Sequence, residues 1–95
     1  MMHDWRLVSI LIDWGKGIVT ITFKDCKSKE VTLVASGFTD LHIPKQEKWG
    51  ESISVNRMAG PILLESGNYY VELEIQSGDK LYLEAKSIQV PTLSR

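Results

Sequence analysis

The fold of this chain is decided by residues 69–85, which read Tyr-Tyr-Val-Glu-Leu-Glu-Ile-Gln-Ser-Gly-Asp-Lys-Leu-Tyr-Leu-Glu-Ala. On both sides of Ser-Gly-Asp, apolar and polar residues alternate with a period of two, which is the spacing of a β-strand with one buried face. Gly78 accepts a positive φ without a Cβ clash, so the two arms are predicted to fold back as a hairpin. A lone hairpin is at best marginally stable, so its apolar face is expected to need a second layer of sheet, which the rest of the chain must provide.

The rest of the chain shows the same pattern in short segments. Residues 5–14 are apolar at both parities, which suggests a strand covered on both faces or one that bends between two sheets. Strand ends are expected at Gly37 and at the Ala-Gly-Pro of residues 59–61, and a last edge strand is expected at residues 87–90. No helical periodicity is present. Seven to eight short strands predict an all-β fold, a small antiparallel β-sandwich or a partly open barrel, with neighbouring strands paired as a meander.

Length and composition predict one domain, residues 1–95, with 43% hydrophobic and 24% charged residues. The net charge is −1, and the basic residues do not cluster, which argues against nucleic acid as a partner. No apolar run approaches the roughly 20 residues that span a bilayer. The N-terminus lacks the basic start and apolar core of a signal peptide. A single cysteine, Cys26, fits a reducing compartment, so we expect a cytoplasmic protein without membrane contact.

Candidate catalytic residues are few. Asp40 and His42 are two residues apart, so a strand would place them on one face, where a carboxylate can orient an imidazole for base catalysis or metal binding. Such a site would need a nucleophile or further ligands, and the alternative is a solvated pair at a strand end. Cys26 lies in a charged turn without a surrounding motif. No nucleotide, hydrolase or zinc signature is present, so we expect no enzyme activity, no cofactor and no metal.

The longest polar interval, residues 44–52, reads Pro-Lys-Gln-Glu-Lys-Trp-Gly-Glu-Ser and contains a tryptophan. An exposed Trp ringed by charges is typical of hot spots in protein interfaces. The alternative is that this Trp covers its own loop. The candidate partner-binding residues are Trp49, Lys45, Glu47, Lys48 and Glu51.

The second half of the chain resembles small bacterial all-β proteins of unknown function, some of which are grouped loosely with immunity proteins of toxin systems. The segments that carry this resemblance are His42-Ile43-Pro44, Trp49-Gly50-Glu51-Ser52, Ser54-Val55-Asn56 and Glu74-Ile75-Gln76-Ser77-Gly78-Asp79. The resemblance implies a cytoplasmic, non-enzymatic protein that binds and blocks a toxin domain. It transfers no site residue, because such families are defined by their partners.

Three functional hypotheses result. The first is a protein-binding module, immunity-like in its role, that uses the Trp49 loop. The second is a small-ligand module that stacks sugar rings on Trp and Tyr side chains, and the third is an enzyme acting through Asp40 and His42. Homodimerisation through edge strands at residues 62–65 or 87–90 stays open, although the prolines beside these segments would hinder it.

Overall fold

Six β-strands make up the regular structure of residues 5–45 and 54–91, the part of the chain that the computed structural model describes. The strands are β1 (Arg6–Asp13), β2 (Ile18–Lys24), β3 (Glu30–His42), β4 (Val55–Leu63), β5 (Tyr69–Ile75) and β6 (Lys80–Gln89). They form one antiparallel sheet in the order β1-β2-β3-β6-β5-β4. The all-β class is confirmed, with six strands in place of the predicted seven to eight. Within the described ranges, no helix has the length and apolarity needed to span a bilayer.

The sheet consists of two halves, each of which is a meander. β1, β2 and β3 pair in chain order, and so do β4, β5 and β6. β3 and β6 join the halves, with Leu41 opposite Leu83. The meander predicted from the turn spacing therefore describes each half, whereas the junction between the halves is a long-range pairing.

One predicted strand end, at Gly37, falls inside a continuous strand. Gly37 has a φ of 66°, and β3 runs through it to His42, with a register shift between Phe38 and Asp40. A β-bulge absorbs an irregular residue and bends the strand without ending the ladder. The two segments predicted on either side of Gly37 are therefore one strand.

The same explanation covers the other missing breaks. Gly60 has a φ of 101°, and β4 continues through it with a register shift between Ala59 and Ile62. β6 extends to Gln89 and pairs there with β3. The expectation of a separate last strand at residues 87–90 was therefore wrong, because residues 87–89 continue β6 and pair with β3, whereas β5 pairs with β6 only as far as Ala85.

The hydrophobic core is built from the inward face of this sheet. Its buried members are Trp5, Val19, Ile21, Phe23, Leu33, Ala35, Val55, Val71, Leu73, Ile75, Leu81, Leu83 and Ala85. Burial alternates along β2 and β5, as the period-two pattern predicts. β2 and β5 share one core although β3 and β6 lie between them, so the sheet curves over its own apolar face. A second sheet, which a sandwich requires, does not occur in the described ranges.

The two edge strands meet at one corner. The N–H of Val55 donates to the carbonyl oxygen of Trp5 at 2.7 Å, and Arg6 forms an isolated antiparallel bridge with Ser54. Beyond this corner β1 and β4 are not paired with each other in the described residues. Within the described residues the sheet is therefore not closed.

β1 differs most from its prediction. The apolar run at residues 5–14 was expected to be covered on both faces or to bend between two sheets. Coverage on both faces is wrong for its second half, where Leu11 is 69% exposed and Trp14 is 83% exposed, and the described residues form one sheet. The physical reason is position: in the part of the chain that the structure describes, β1 is at the end of the strand order and β2 is its one neighbouring strand. In this fold, the strand that is apolar at odd and even positions alike is therefore an exposed edge strand.

Candidate functional site: the free edge of the first strand

The direction of the backbone groups of β1 follows from the turn that joins it to β2. The carbonyl oxygen of Gly17 accepts a hydrogen bond from the N–H of Gly37 on β3 at 2.8 Å. The N–H of Ile18 belongs to the same peptide unit and points the opposite way, toward β1. Ile18 is opposite Asp13 in the register, so Asp13 directs its backbone groups toward β2.

Alternation extends this assignment along the strand. Ser9, Leu11 and Asp13 point their N–H and C=O groups toward β2, because successive strand residues point to opposite sides. Ile10 and Ile12 point theirs away from the sheet, on the side where no described strand pairs with them. β1 thus offers a short edge onto which another strand can add.

Exposed apolar side chains surround these backbone groups. We define the edge patch as Val8, Leu11 and Ile12 on β1 together with Trp14 in the turn that follows it, each of which is exposed. The indole of Trp14 rests edge-on against Phe38, with the ring centroids 5.9 Å apart, and this contact fixes one side of an otherwise solvated ring. β1 carries neither charge nor proline from residue 7 to residue 12. Native edge strands usually carry such residues to prevent pairing with other chains.

An apolar groove of about 410 Å³ lies between β1, the end of β3 and the β5–β6 turn. Its aliphatic lining comprises Leu7, Val8, Ile10, Ile43, Ile75 and Leu81. Lys45 contributes a cation, and Asp79, which accepts a hydrogen bond from the Ser77 hydroxyl at 3.1 Å, contributes a carboxylate. The volume falls in the range of small-molecule sites. Among the described residues that line the groove there is no aromatic ring, so this part of the lining offers no stacking surface for a sugar.

Three aromatic side chains form a row across the outer face of the sheet. Tyr82 on β6 stacks with His42 on β3 at a centroid distance of 6.0 Å and lies 5.7 Å from Tyr70 on β5. The planes are 26° and 31° apart, so the rings face one another and part of each ring face is taken up by its neighbour. Burial and the negative charge of Glu72 raise the pKa of Tyr70. We interpret this row as cross-strand stabilisation, because few ring faces are left for a ligand.

Glu84 lies beside this row and is held by two donors. The side-chain amide of Asn68 donates to its Oε2 at 2.9 Å, and the hydroxyl of Thr39 donates to the same oxygen at 2.8 Å. Both hydrogen bonds favour the ionised form and lower the pKa of Glu84, with the bond from Asn68 as the larger cause. The carboxylate therefore links β6 to β3 and to the turn before β5.

Asp40 and His42 lie on the same outer face, because they pair with Glu84 and Tyr82 on β6. Both are exposed, and one ring face of His42 stacks against Tyr82. Among residues 5–45 and 54–91, no three His, Cys, Asp or Glu side chains are placed to hold a metal ion. Cys26 is exposed in the β2–β3 turn. Among the described residues, none of these contacts places a nucleophile beside Asp40 or His42.

The predicted partner-binding loop is described only at its start. Lys45 is exposed at the rim of the groove. Trp49, Glu47, Lys48 and Glu51 lie outside the described residues. Their role as a contact surface therefore stays a prediction.

Sequence analysis did not predict the edge patch, and the sequence holds only an ambiguous sign of it. Residues 5–14 are apolar at odd and even positions alike, and such a run fits a fully covered strand as well as an exposed edge strand. The charges that end the strand, Arg6 and Asp13, were the available clue. They bound a neutral segment with the length of one strand. Such a segment fits both a strand in the middle of a sheet and an exposed edge strand, and the two can be told apart only when the strand order is known.

The comparisons with known proteins found one similar fold and no matching family. No protein-family model matches the chain, and no curated protein matches it. Among solved structures, the crystal structure of an uncharacterised protein from Neisseria gonorrhoeae is similar, with a TM-score of 0.65 and 13% sequence identity over 98% of this chain and 95% of that chain. At this identity the similarity shows the fold alone. The expected resemblance to bacterial all-β proteins is supported at that level, and none of the comparisons shows an immunity-protein family.

Proposed function

We propose that this protein is a protein-binding module whose contact surface is the edge patch on β1. The observation that carries the proposal is a neutral edge strand with outward backbone groups at Ile10 and Ile12, flanked by exposed Leu11 and Trp14. Adding a strand to such an edge is a recurring mode of peptide and protein recognition, in which backbone hydrogen bonds supply affinity and alternate side chains supply specificity.

The size and composition of the patch support this function. Its four side chains present on the order of 450 Å² of surface, which is at the scale of the largest apolar patches on monomers, and these are often functional. Trp14 has the side chain that most often anchors a protein interface. An enzyme acting through Asp40 and His42 has no comparable support from the described contacts.

The same proposal has a finer part: the Trp49 loop contributes to the contact surface, and the protein that is bound and inhibited is a toxin domain. Lys45 lies at the groove whose other wall is β1, so a partner that covers the edge of β1 would reach the start of the loop. The toxin-directed role rests on the sequence resemblance. The cytoplasmic location likewise stays a prediction from composition.

The test is capture of partners from host lysate with matched variants. Leu11→Glu places a charge in the edge patch, and Leu63→Glu places the same charge at a side chain of similar exposure, 63%, on the opposite edge strand β4. We expect the wild type and Leu63→Glu to retain a partner, either another protein or the untagged chain itself, and Leu11→Glu to lose it. Retention by Leu11→Glu, or equal loss with both variants, would reject the edge patch as the contact surface.

The groove supports a second candidate function, binding of a small amphipathic molecule. Its aliphatic lining suits an acyl or similar apolar chain, and Lys45 at the rim would attract a carboxylate head group. This differs from the predicted sugar site, because the described part of the lining is aliphatic and contains no stacking ring. Decanoate should raise the thermal midpoint of the wild type and of Ile62→Asp but not that of Ile43→Asp. Both isoleucines are partly exposed, and only Ile43 lines the groove. An equal midpoint with and without decanoate in the wild type would exclude this candidate.

A further inference from the structure

We infer that the partner at the edge of β1 is a second copy of this chain, paired antiparallel to it about a two-fold axis at Leu11. The inference rests on the proposed function, since it names the partner of the same surface. It follows from three properties of β1: which backbone groups point outward, which side chains face each other in the symmetric register, and the absence of blocking residues.

Symmetry restricts the register. When two identical antiparallel strands pair about a two-fold axis, one residue lies opposite itself, and the residues on either side of it pair with each other. With Leu11 on the axis, Ile10 pairs with Ile12 of the second copy. These are the residues whose N–H and C=O groups point outward, so this register satisfies all of them.

The neighbouring register is less suitable. With Ile10 on the axis, Ile12 would have to bond Val8 of the second copy. Val8 lies at the register shift between Leu7 and Ser9, where a bulge interrupts the regular spacing of backbone groups. The register centred on Leu11 uses only the regular part of β1.

The side chains on the outer face complement themselves in this register. Leu11 meets Leu11 of the second copy at a non-hydrogen-bonded position, where strands approach most closely. Ser9 lies opposite Asp13 of the second copy, so a hydroxyl donor meets a carboxylate acceptor. Asp13 never faces its own copy, and like charges are therefore not opposed.

The opposite edge of the sheet lacks these properties. β4 contains Arg57 and Pro61 and two register shifts against β5, and charge, proline and bulges are the devices that prevent edge pairing. β1 has one bulge, near its start, and a neutral regular segment after it. The second copy is therefore expected at β1 rather than at β4.

The buried area indicates the strength of the dimer. Two edge patches together expose roughly 900 Å² of side-chain surface, and strand pairing buries only part of it, so the side-chain contact stays below the roughly 1,000–1,200 Å² of the smallest specific interfaces. We therefore expect a weak dimer, with a dissociation constant of the order of micromolar, that exchanges with the monomer.

The experiment is sedimentation velocity of the purified full chain from about 1 µM to 1 mM. The wild type should shift from monomer to dimer with concentration. Leu11→Lys, which opposes two cations at the axis, should weaken the dimer by at least about tenfold, and Leu63→Lys on β4 should leave it unchanged. Circular dichroism controls for folding of each variant.

Two substitutions at one exposed position test the register itself. Ser9→Asp opposes two carboxylates and should weaken the dimer, whereas Ser9→Lys opposes a cation to Asp13 of the second copy and should strengthen it, each by roughly three- to thirtyfold. Amide exchange gives an independent readout: protection of Ile10 and Ile12 should rise with concentration, while Leu11, bonded to β2, is protected throughout.

The outcomes separate this inference from the proposed function. A monomer at every concentration, or a dimer that is insensitive to Leu11→Lys, would overturn the second copy as partner. If a monomeric protein still captures a different protein through Leu11, the proposed function stands and the self-pairing falls. Equal effects of Ser9→Asp and Ser9→Lys would overturn the register centred on Leu11.

Discussion

The N–H of Val55 donates to the carbonyl oxygen of Trp5 at 2.7 Å, and both residues are buried. This bond ties the start of β1 to the start of β4 and covers one end of the core. Past this point the outer edge of β1 has no described strand beside it. Trp5 is therefore covered at this corner, whereas the side chains of the edge patch, which come later in the chain, are exposed.

The two tryptophans of the first hairpin should differ sharply in their contribution to stability. Trp5 is 5% exposed and lies 6.0 Å from Phe23 between ring centroids, so Trp5→Ala should cost about 3–5 kcal/mol of unfolding free energy. Trp14→Ala should cost less than about 1.5 kcal/mol, since it loses mainly the edge contact with Phe38. Urea unfolding followed by circular dichroism measures both values. Comparable losses would contradict the assignment of Trp14 to the surface.

Two glycines with positive φ should respond differently to alanine. At Gly60 an added Cβ would lie 2.5 Å from the carbonyl oxygen of Tyr70, whereas at Gly67 it would meet nothing within 4 Å. Gly67→Ala should cost only the backbone penalty of about 1–2 kcal/mol. Gly60→Ala should cost clearly more, because the strand β5 has to move. Urea midpoints compare the two variants, and a smaller loss at Gly60 would count against the backbone path of β4.

Glu84 should give the protein a pH-dependent stability. Its folded-state pKa is lowered from the ordinary 4.5 by the hydrogen bonds from Asn68 and Thr39. The stabilisation is therefore fully present above about pH 4.5 and is lost as the pH falls through the lowered pKa. The stability difference between wild type and Glu84→Gln should shrink over that range.

Asn68→Ala provides the control for the cause of this shift. Removing the larger donor should raise the pKa of Glu84 toward its ordinary value in a titration followed by NMR. The pKa of Asp25, which is lowered mainly by the backbone N–H of Lys29 in a separate turn, should stay where it is. Movement of both carboxyl groups would point to a general loss of structure.

Tyr82 should stabilise the outer face through its ring. Tyr82→Ser removes the contacts with His42 and Tyr70 and should cost about 1–2 kcal/mol. Tyr82→Phe keeps the ring and should stay within about 0.5 kcal/mol of the wild type. Chemical unfolding measures both variants, and an equal loss in both would assign the effect to the hydroxyl.

Local patterns predicted much of the fold. The alternation of Val71, Leu73 and Ile75 with charged residues identifies the buried face of β5, and Gly78 marks the turn to β6. The all-β class follows from the repetition of such segments. Strand ends were less predictable, because Gly37 and Gly60 are held within ladders by the strands beside them.

The candidate site was largely beyond the reach of sequence reasoning. The predicted contact residues followed Pro44 in a polar loop, whereas the described edge patch lies on β1, which was predicted to be covered. Pattern alone does not distinguish these cases, since Leu11 and Ile12 have the composition of a buried strand.

The sequence by itself determined the period-two segments, their inward faces and the turns between them, because these depend on neighbours one to four residues away. Only the tertiary structure decided that β3 pairs with β6 and that β1 ends the sheet. Burial depends on which strand lies beside another, and that choice is made by contacts between residues far apart in the chain. The exposure of Leu11 and Trp14 is therefore a consequence of strand order, which their own side chains do not encode.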